Sequence, residues 1–155
     1  MTGRLRSNTR EWDKLKRRLR RFDRRSIEVG FFSNKKYGPD NNNLQVAEVA
    51  MMNDYGTSKV PSRPFMTVDF VSYAEKTFPT KARQFFMLLI LNPKSPFVKN
   101  MNDLGEEFSF ALQEIILDYP GRNSQWWADI KGFNDPLYHT GVMVESVSHR
   151  LKRGT

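Results

Sequence analysis

Residues 55–66 read YGTSKVPSRPFM, a stretch in which one glycine and two prolines bracket short polar segments and a single arginine separates the prolines. Gly56 can leave a preceding helix at positive φ, a conformation that side chains with a Cβ resist. Pro61 and Pro64 each hold φ at about −65° and push the residue before them towards extended geometry. Because proline lacks the amide hydrogen of a β-ladder, the stretch cannot enter the interior of a sheet. It therefore divides the chain into a helix that ends at Gly56 and separate elements that follow. Lys59–Phe65 reads as a stiffened, extended arm, and between its prolines Arg63 has little backbone freedom left to lose when it engages a carboxylate. The expectation is a guanidinium presented outward to a neighbouring copy, with Phe65 anchoring the far end in the core. Lys59, Pro61, Arg63, Pro64 and Phe65 are the candidate subunit-interface residues.

Upstream of the arm, LQVAEVAMMNDY reads as a helix capped by Asn43, with Leu44, Ala47, Met51 and Tyr55 on one face. Before it, SNKKYGPDNNN carries the Gly-Pro and Asn signals of a loop. In SIEVGFF, Ile27, Val29 and Phe31 alternate with Ser26, Glu28 and Gly30, the period of a half-buried strand. Downstream, FMTVDFVSYAEKTF is expected to begin extended and turn helical before Pro79, with KARQFFMLLIL as a second helical piece. NPKSPF breaks the chain. Met101, Leu104, Phe108, Ala111 and Ile115 then recur at helical spacing. In that helix Gly105 costs about 1 kcal/mol relative to alanine, and Pro120 with Gly121 stops it. A polar loop holding Trp126 and Trp127 leads to DPLYHTGVMVESVSHRL, read as a turn and a terminal strand. The expected fold class is α+β, a small, mostly antiparallel sheet packed by helices.

The net charge of +8 is concentrated at one end. Residues 1–25 hold 11 Lys or Arg against 3 Asp or Glu, and residues 26–155 hold 14 of each. Asn8 and Glu11 have the spacing of a helix cap with its reciprocal acid. Trp12, Leu15, Leu19 and Phe22 follow as one narrow apolar stripe. The organisation is thus a basic amphipathic helix over residues 1–25, docked by its stripe, and a single α+β domain over 26–155. Arg10, Lys14, Arg17, Arg18, Arg21, Arg24 and Arg25 are candidates to contact nucleic acid or an acidic partner. The apolar face is no wider than docking onto a protein body requires, which weighs against a membrane-surface helix.

With no cysteine, thiolate metal sites and disulfide chemistry are excluded. The longest apolar run, FFMLLIL at 85–91, falls far short of the roughly 20 residues that span a bilayer. No nucleotide-binding glycine pattern, HExxH or EF-hand loop occurs. Ser146 and His149 stand three apart, which on a strand puts them on opposite faces. Glu106 and Glu107 read as solvated charges. The expectation is a chain with no catalytic constellation, no cofactor and no metal. Trp126 and Trp127 lack a dense basic flank and read as a loop anchor or subunit contact more readily than as a base-stacking platform.

A helix ending in NDYGT and followed at once by VPSRPFM resembles the Asn-Glu-Phe-Gly-Thr … Ile-Pro-Ala-Arg-Pro-Phe signature of the tail-completion, or virion-morphogenesis, family of long-tailed bacteriophages. The block DPLYHTGVMVESVSHRL is similar to that family's terminal Pro-Leu-x-x-Thr-Gly-x-Leu-x-x-Ser-Ile pattern, through Pro136, Leu137, Thr140, Gly141, Met143, Ser146 and Val147. Asp54 stands where the family usually has Glu, and Thr67-Val68 where it commonly has Arg-Pro. The order of elements agrees over most of the chain. The resemblance implies a structural protein of the virion neck or tail top, assembled in the host cytoplasm. It further implies a homo-oligomeric ring, a hexamer, between connector and tail tube. Its partners would be neck, connector, tail-terminator or tail-tube proteins, with genomic DNA in the lumen and no membrane. The alternative class is a sequence-independent DNA- or RNA-binding module that uses the basic N-terminal helix.

Overall fold

The computed structural model describes residues 9–22, 25–32, 34–92, 94–132 and 134–153. Its order is α1 (Thr9–Phe22), β1 (Arg25–Phe31), α2 (Val46–Tyr55), a π-helical turn (Phe65–Phe70) running directly into α3 (Val71–Leu91), α4 (Phe97–Leu117), α5 (Gln125–Lys131), α6 (Val142–Ser146) and β2 (Val147–Arg153). The fold is α+β. Among the described strands, β1 and β2 form one two-stranded antiparallel sheet in which Ile27 faces Leu151, Val29 faces His149 and Phe31 faces Val147. Glu28 receives Arg150 Nε at 2.7 Å and Lys152 Nζ at 3.2 Å across the pair, and these two cations hold its carboxyl below the usual carboxylate value.

α4 is the central element. Phe108, Leu112 and Ile116 on it pack with Val46 and Ala50 of α2, with Phe65 and Phe70, and with Leu137, Met143 and Val147 of the C-terminal segment. Phe70, Tyr73 and Phe78 meet the Phe108 ring edge-on, with centroids 5.9 to 6.4 Å away. This geometry suits the aromatic quadrupoles. A second cluster joins Phe85 and Leu89 of α3 to Met101, with Ile27, Phe97 and Leu151 packed against it.

Several elements differ from their expected form. α2 starts at Val46 after an extended Gln45, and Asn43 sits at φ 52° in the preceding turn, so it cannot cap the helix. The buried face of α2 is Val46, Ala50 and Asp54, whereas Leu44, Met51 and Tyr55 are exposed. The polar Asp54 concealed this face, because a buried carboxylate interrupts the apolar period. Phe65 opens a helix with no extended lead, and Pro79 lies inside α3 without breaking it. The cost of one missing donor, at Pro79, is outweighed by the apolar contacts that α3 makes on both sides of it. The tryptophan loop is helical as α5, although the side chains of Trp126 and Trp127 lie outside the described residues. The presumed terminal strand begins only at Val147, after the short helix α6.

Gly105 is buried where β2 crosses α4: a Cβ there would come within 2.7 Å of His149 Cγ and closer still to its Cδ2. The residue is required for close approach, which the helix propensity alone does not reveal. Gly105→Ala is expected to cost about 1–2 kcal/mol, since the strain of displacing the ring exceeds the propensity gained. Adding His149→Ala should recover most of the loss in a urea unfolding series. A stabilised single variant would show that the strand sits farther from α4.

Candidate functional site

The segment expected to reach outward instead closes on its own helix. α2 ends with carbonyls that lack helical donors, as every helix does, and the loop supplies them. Ser62 Oγ donates to Asp54 O at 2.8 Å, and Arg63 N donates to Asn53 O at 2.8 Å. Gly56, at φ 80°, permits the reversal; a Cβ on it would lie 2.7 Å from Ser62 N. Thr57 pins the loop tip, its Oγ1 accepting from Lys59 N at 3.2 Å and Val60 N at 3.0 Å. Pro64, at φ −78° and ψ 53°, forms an inverse γ-turn in which Phe65 N donates to Arg63 O at 2.7 Å. That turn drops Phe65 into the core with 0% exposure, edge-on to Phe31.

Arg63 is half-buried, and its Nη1 donates to Asn53 Oδ1 of its own chain at 3.2 Å. The outward guanidinium inferred from the proline bracket is therefore corrected: the side chain is spent within the subunit. The reason is the same deficit of donors at the end of α2, with Asn53 itself held by Nδ2 donating to Val49 O at 2.9 Å. Burial lowers the Arg63 pKa from its usual value, with nearby Tyr119 acting in the opposite sense. Arg63→Ala should consequently cost about 1 kcal/mol in thermal unfolding, even in a purified monomer. An unchanged monomer would mean that the Asn53 contact is not formed in solution. Lys59 and Pro61 remain exposed, and Pro64 is half-buried.

Asp54 completes the join. Its Oδ1 accepts from Met66 N at 2.8 Å and Thr67 N at 3.3 Å, capping the helix that starts at Phe65 from another element. Asn53 and Ser62 were not singled out in the sequence, and Asp54 only as a position where the resembled family usually has Glu. The available signal was two polar residues placed just before a helix-ending glycine.

Beside this join lies a cleft of about 600 Å³. Lys59, Arg63 and Arg122 line one part of it, and Leu137, Thr140 and Met143 of the terminal block line another. The two sequence motifs thus share one cavity. Among the described residues its lining holds no carboxylate. Gly141, at φ 80°, lets the terminal block turn into α6, and Asn123 fastens the adjoining loop through Asn134 Oδ1 and Asp135 O.

The described members of the basic set divide between α1 and β1. Arg10, Lys14 and Arg17 project from α1 as exposed cations. Arg18 and Arg21 belong to α1, but their side chains lie outside the described residues, as do Arg24, the Asn8 cap and the side chains of Glu11 and Phe22. Arg25 starts β1, half-buried, with its guanidinium 5.8 Å from the Phe97 ring centroid. It belongs to the domain body and is not part of the helix. Trp12 stays 57% exposed, under Lys16 Nζ at 5.4 Å, while Leu15 and Leu19 are half-buried. The stripe is therefore only partly covered by its own chain.

The remaining polar candidates are not brought together with one another. Ser146 Oγ donates to Val142 O at 2.6 Å, and His149 Nε2 lies 3.3 Å from Asn102 Oδ1, so the two do not form a pair. Glu107 pairs with Lys81, and Glu106 is exposed. Among the described residues there is no cluster of three potential metal ligands and no helix long and apolar enough to cross a membrane. The fold and site define a small α+β protein whose two motif segments are brought together beside a cationic cleft. Comparison with protein-family models, with curated proteins and with solved structures finds no match.

Proposed function

We propose that the chain is a structural protein of a bacteriophage virion, acting at the neck or tail top to complete the tail and join it to the head. It assembles with copies of itself as a sixfold ring between connector and tail tube, contacts neck, connector, terminator or tube proteins, and surrounds the DNA path. The observation that supports this reading is the convergence of the two motifs. Lys59–Arg63 and Pro136–Val144, far apart in sequence, border the same cleft. The apolar residues left outside are consistent with assembly: Met87, Leu88 and Leu91 share one face of α3 at 47%, 42% and 73% exposure. Such surface on a monomer marks a contact to be made. Because Arg63 is committed to Asn53, the ring contact is assigned to exposed surfaces such as these, with Lys59 and Pro61 at the loop tip.

The test is a lysate from phage lacking this chain. Filled heads and separate tails should accumulate, and the purified protein should restore joining when added back. Joined, infectious particles in its absence would overturn the reading. A nucleic-acid module built on α1 would instead bind short duplexes tightly as a monomer, with affinity falling steeply as salt rises.

A further inference from the structure

The cleft beside the loop join gathers positive charge with nothing of opposite sign in its walls. Lys59, Arg63 and Arg122 line it, and among the described residues none of the three is ion-paired and no carboxylate joins them in the lining. Glu145, which is exposed, approaches Gly141 at the border without lining the cleft. Arg63 is half-buried, its hydrogen-bond partner is the neutral Asn53 Oδ1, and no carboxylate opposes the burial that lowers its pKa. Taking a cation out of water without an opposite charge is unfavourable, and an incoming carboxylate offsets that cost. Asn123 is in a similar position. It lines the cleft at 9% exposure, and its Oδ1 has no hydrogen-bond partner among the described residues. Val49, Met52, Leu137 and Met143 make much of the remaining lining apolar.

We infer that this cleft receives a short, extended, acidic segment of a partner protein, its side-chain carboxylates meeting Lys59, Arg63 and Arg122 and an apolar side chain meeting Leu137 and Met143. The volume of about 600 Å³ lies within the range of about 300–1,000 Å³ that encloses one small ligand. A few residues of extended chain fit such a space, and a nucleic-acid duplex does not. A peptide also brings N–H donors to the neighbourhood of Asn123, whereas a phosphodiester backbone has none to offer. A second copy of this chain is a poor source of the segment: its acids at 103–118 are almost all wound into α4, and elsewhere in residues 26–155 they stand singly. The wall that carries Lys59 and Arg63 is held in advance by the hydrogen bonds of Ser62 and Arg63 to the end of α2, so little order is lost on binding. This inference rests on the proposed joining role for the partner's place in the particle and names the chemistry by which that partner is held.

The test is selection of short random peptides, displayed between neutral spacers, on the immobilised full-length chain. Recovered sequences should carry two or more Asp or Glu beside an aliphatic residue. The consensus peptide, synthesised with both ends blocked, should then bind the purified chain in fluorescence anisotropy. Arg122→Glu should weaken that binding at least about fivefold, and Arg122→Glu with Lys59→Glu at least about twentyfold, because like charges then face each other. Lys76→Glu with Lys94→Glu alters the net charge equally outside the cleft and should leave binding within about twofold. All four side chains are exposed, so the thermal midpoints should stay within about 2 °C of the unaltered chain. Selected sequences without acidic enrichment, or binding that ignores Arg122→Glu, would overturn the inference. Equal competition by inorganic phosphate or a short duplex, lost with Arg122→Glu, would assign the cleft to phosphate and overturn it as well. Failure here and failure of the joining role are separable. A chain that binds the peptide but does not restore joining in the lysate keeps the acidic ligand and loses the virion reading; one that restores joining while selecting no acidic peptide does the reverse.

Discussion

Replacing Phe65 by alanine is expected to remove about 3–5 kcal/mol of stability, the range for a large aromatic cut from a closed core. Phe65 is fully buried and stands edge-on to Phe31. It is also the first residue of the helix that continues as α3, so its loss affects both packing and the point at which that helix is anchored. Single domains hold only about 5–15 kcal/mol in total, which would leave the variant close to unfolding at ambient temperature. At this chain length the melting temperature should fall by about 2–4 °C per kcal/mol lost. A urea midpoint that moves while the slope stays constant would locate the loss in the native core. A change below about 1 kcal/mol would mean that the proline bracket does not deliver Phe65 to the interior.

Asp54→Ala is the second large effect. Removing the carboxylate deprives Met66 N and Thr67 N of their acceptor at a helix start that the surrounding structure partly encloses. Loss of a cap costs about 0.5–2 kcal/mol and an unsatisfied amide about 1–3. The two figures describe the same pair of hydrogen bonds, so the expected loss is about 1–3 kcal/mol in a thermal or urea series. Asp54→Asn keeps an oxygen at the Oδ1 position, gives up the attraction of a negative charge to the helix N-terminus, about 0.3–1 kcal/mol, and puts an amide donor where Oδ2 is buried without a hydrogen-bond partner, so it too is expected to lose stability. Asparagine is therefore expected to cost less than alanine only to the extent that the hydrogen bonds to Met66 N and Thr67 N outweigh the buried amide donor. An alanine variant that costs less than about 0.5 kcal/mol would mean that the geometry at Met66 and Thr67 is not what holds the helix start. Either variant would also impair the proposed assembly indirectly, so a phenotype in the loop is informative only beside a stability measurement.

Much of the fold was legible because local signals were strong. The alternation in SIEVGFF marked β1, Gly56 marked the end of α2, and the spacing from Met101 to Phe108 marked α4. Pattern failed where an interior group was not apolar or a surface group was. Asp54 is buried because it caps another helix, while Met51 and Tyr55 are exposed. The face of α2 drawn from hydrophobicity alone is consequently rotated away from the true one. The continuity of α3 through Pro79 was hidden for a similar reason, since a proline penalty acts locally and the packing that overrides it comes from distant residues.

By itself, the sequence determined the α+β class, the concentration of positive charge in the first 25 residues, the stop at Gly56 and the anchoring of Phe65. Each depends on properties of the residue or its near neighbours: backbone freedom, charge, period. Only the tertiary structure decided where Arg63 points, why residue 105 must be glycine, and that the Pro-Arg-Pro and Thr-Gly segments share one cleft. Those outcomes depend on which unpaired carbonyl, ring or loop a distant part of the chain brings within reach, and no local pattern encodes that distance.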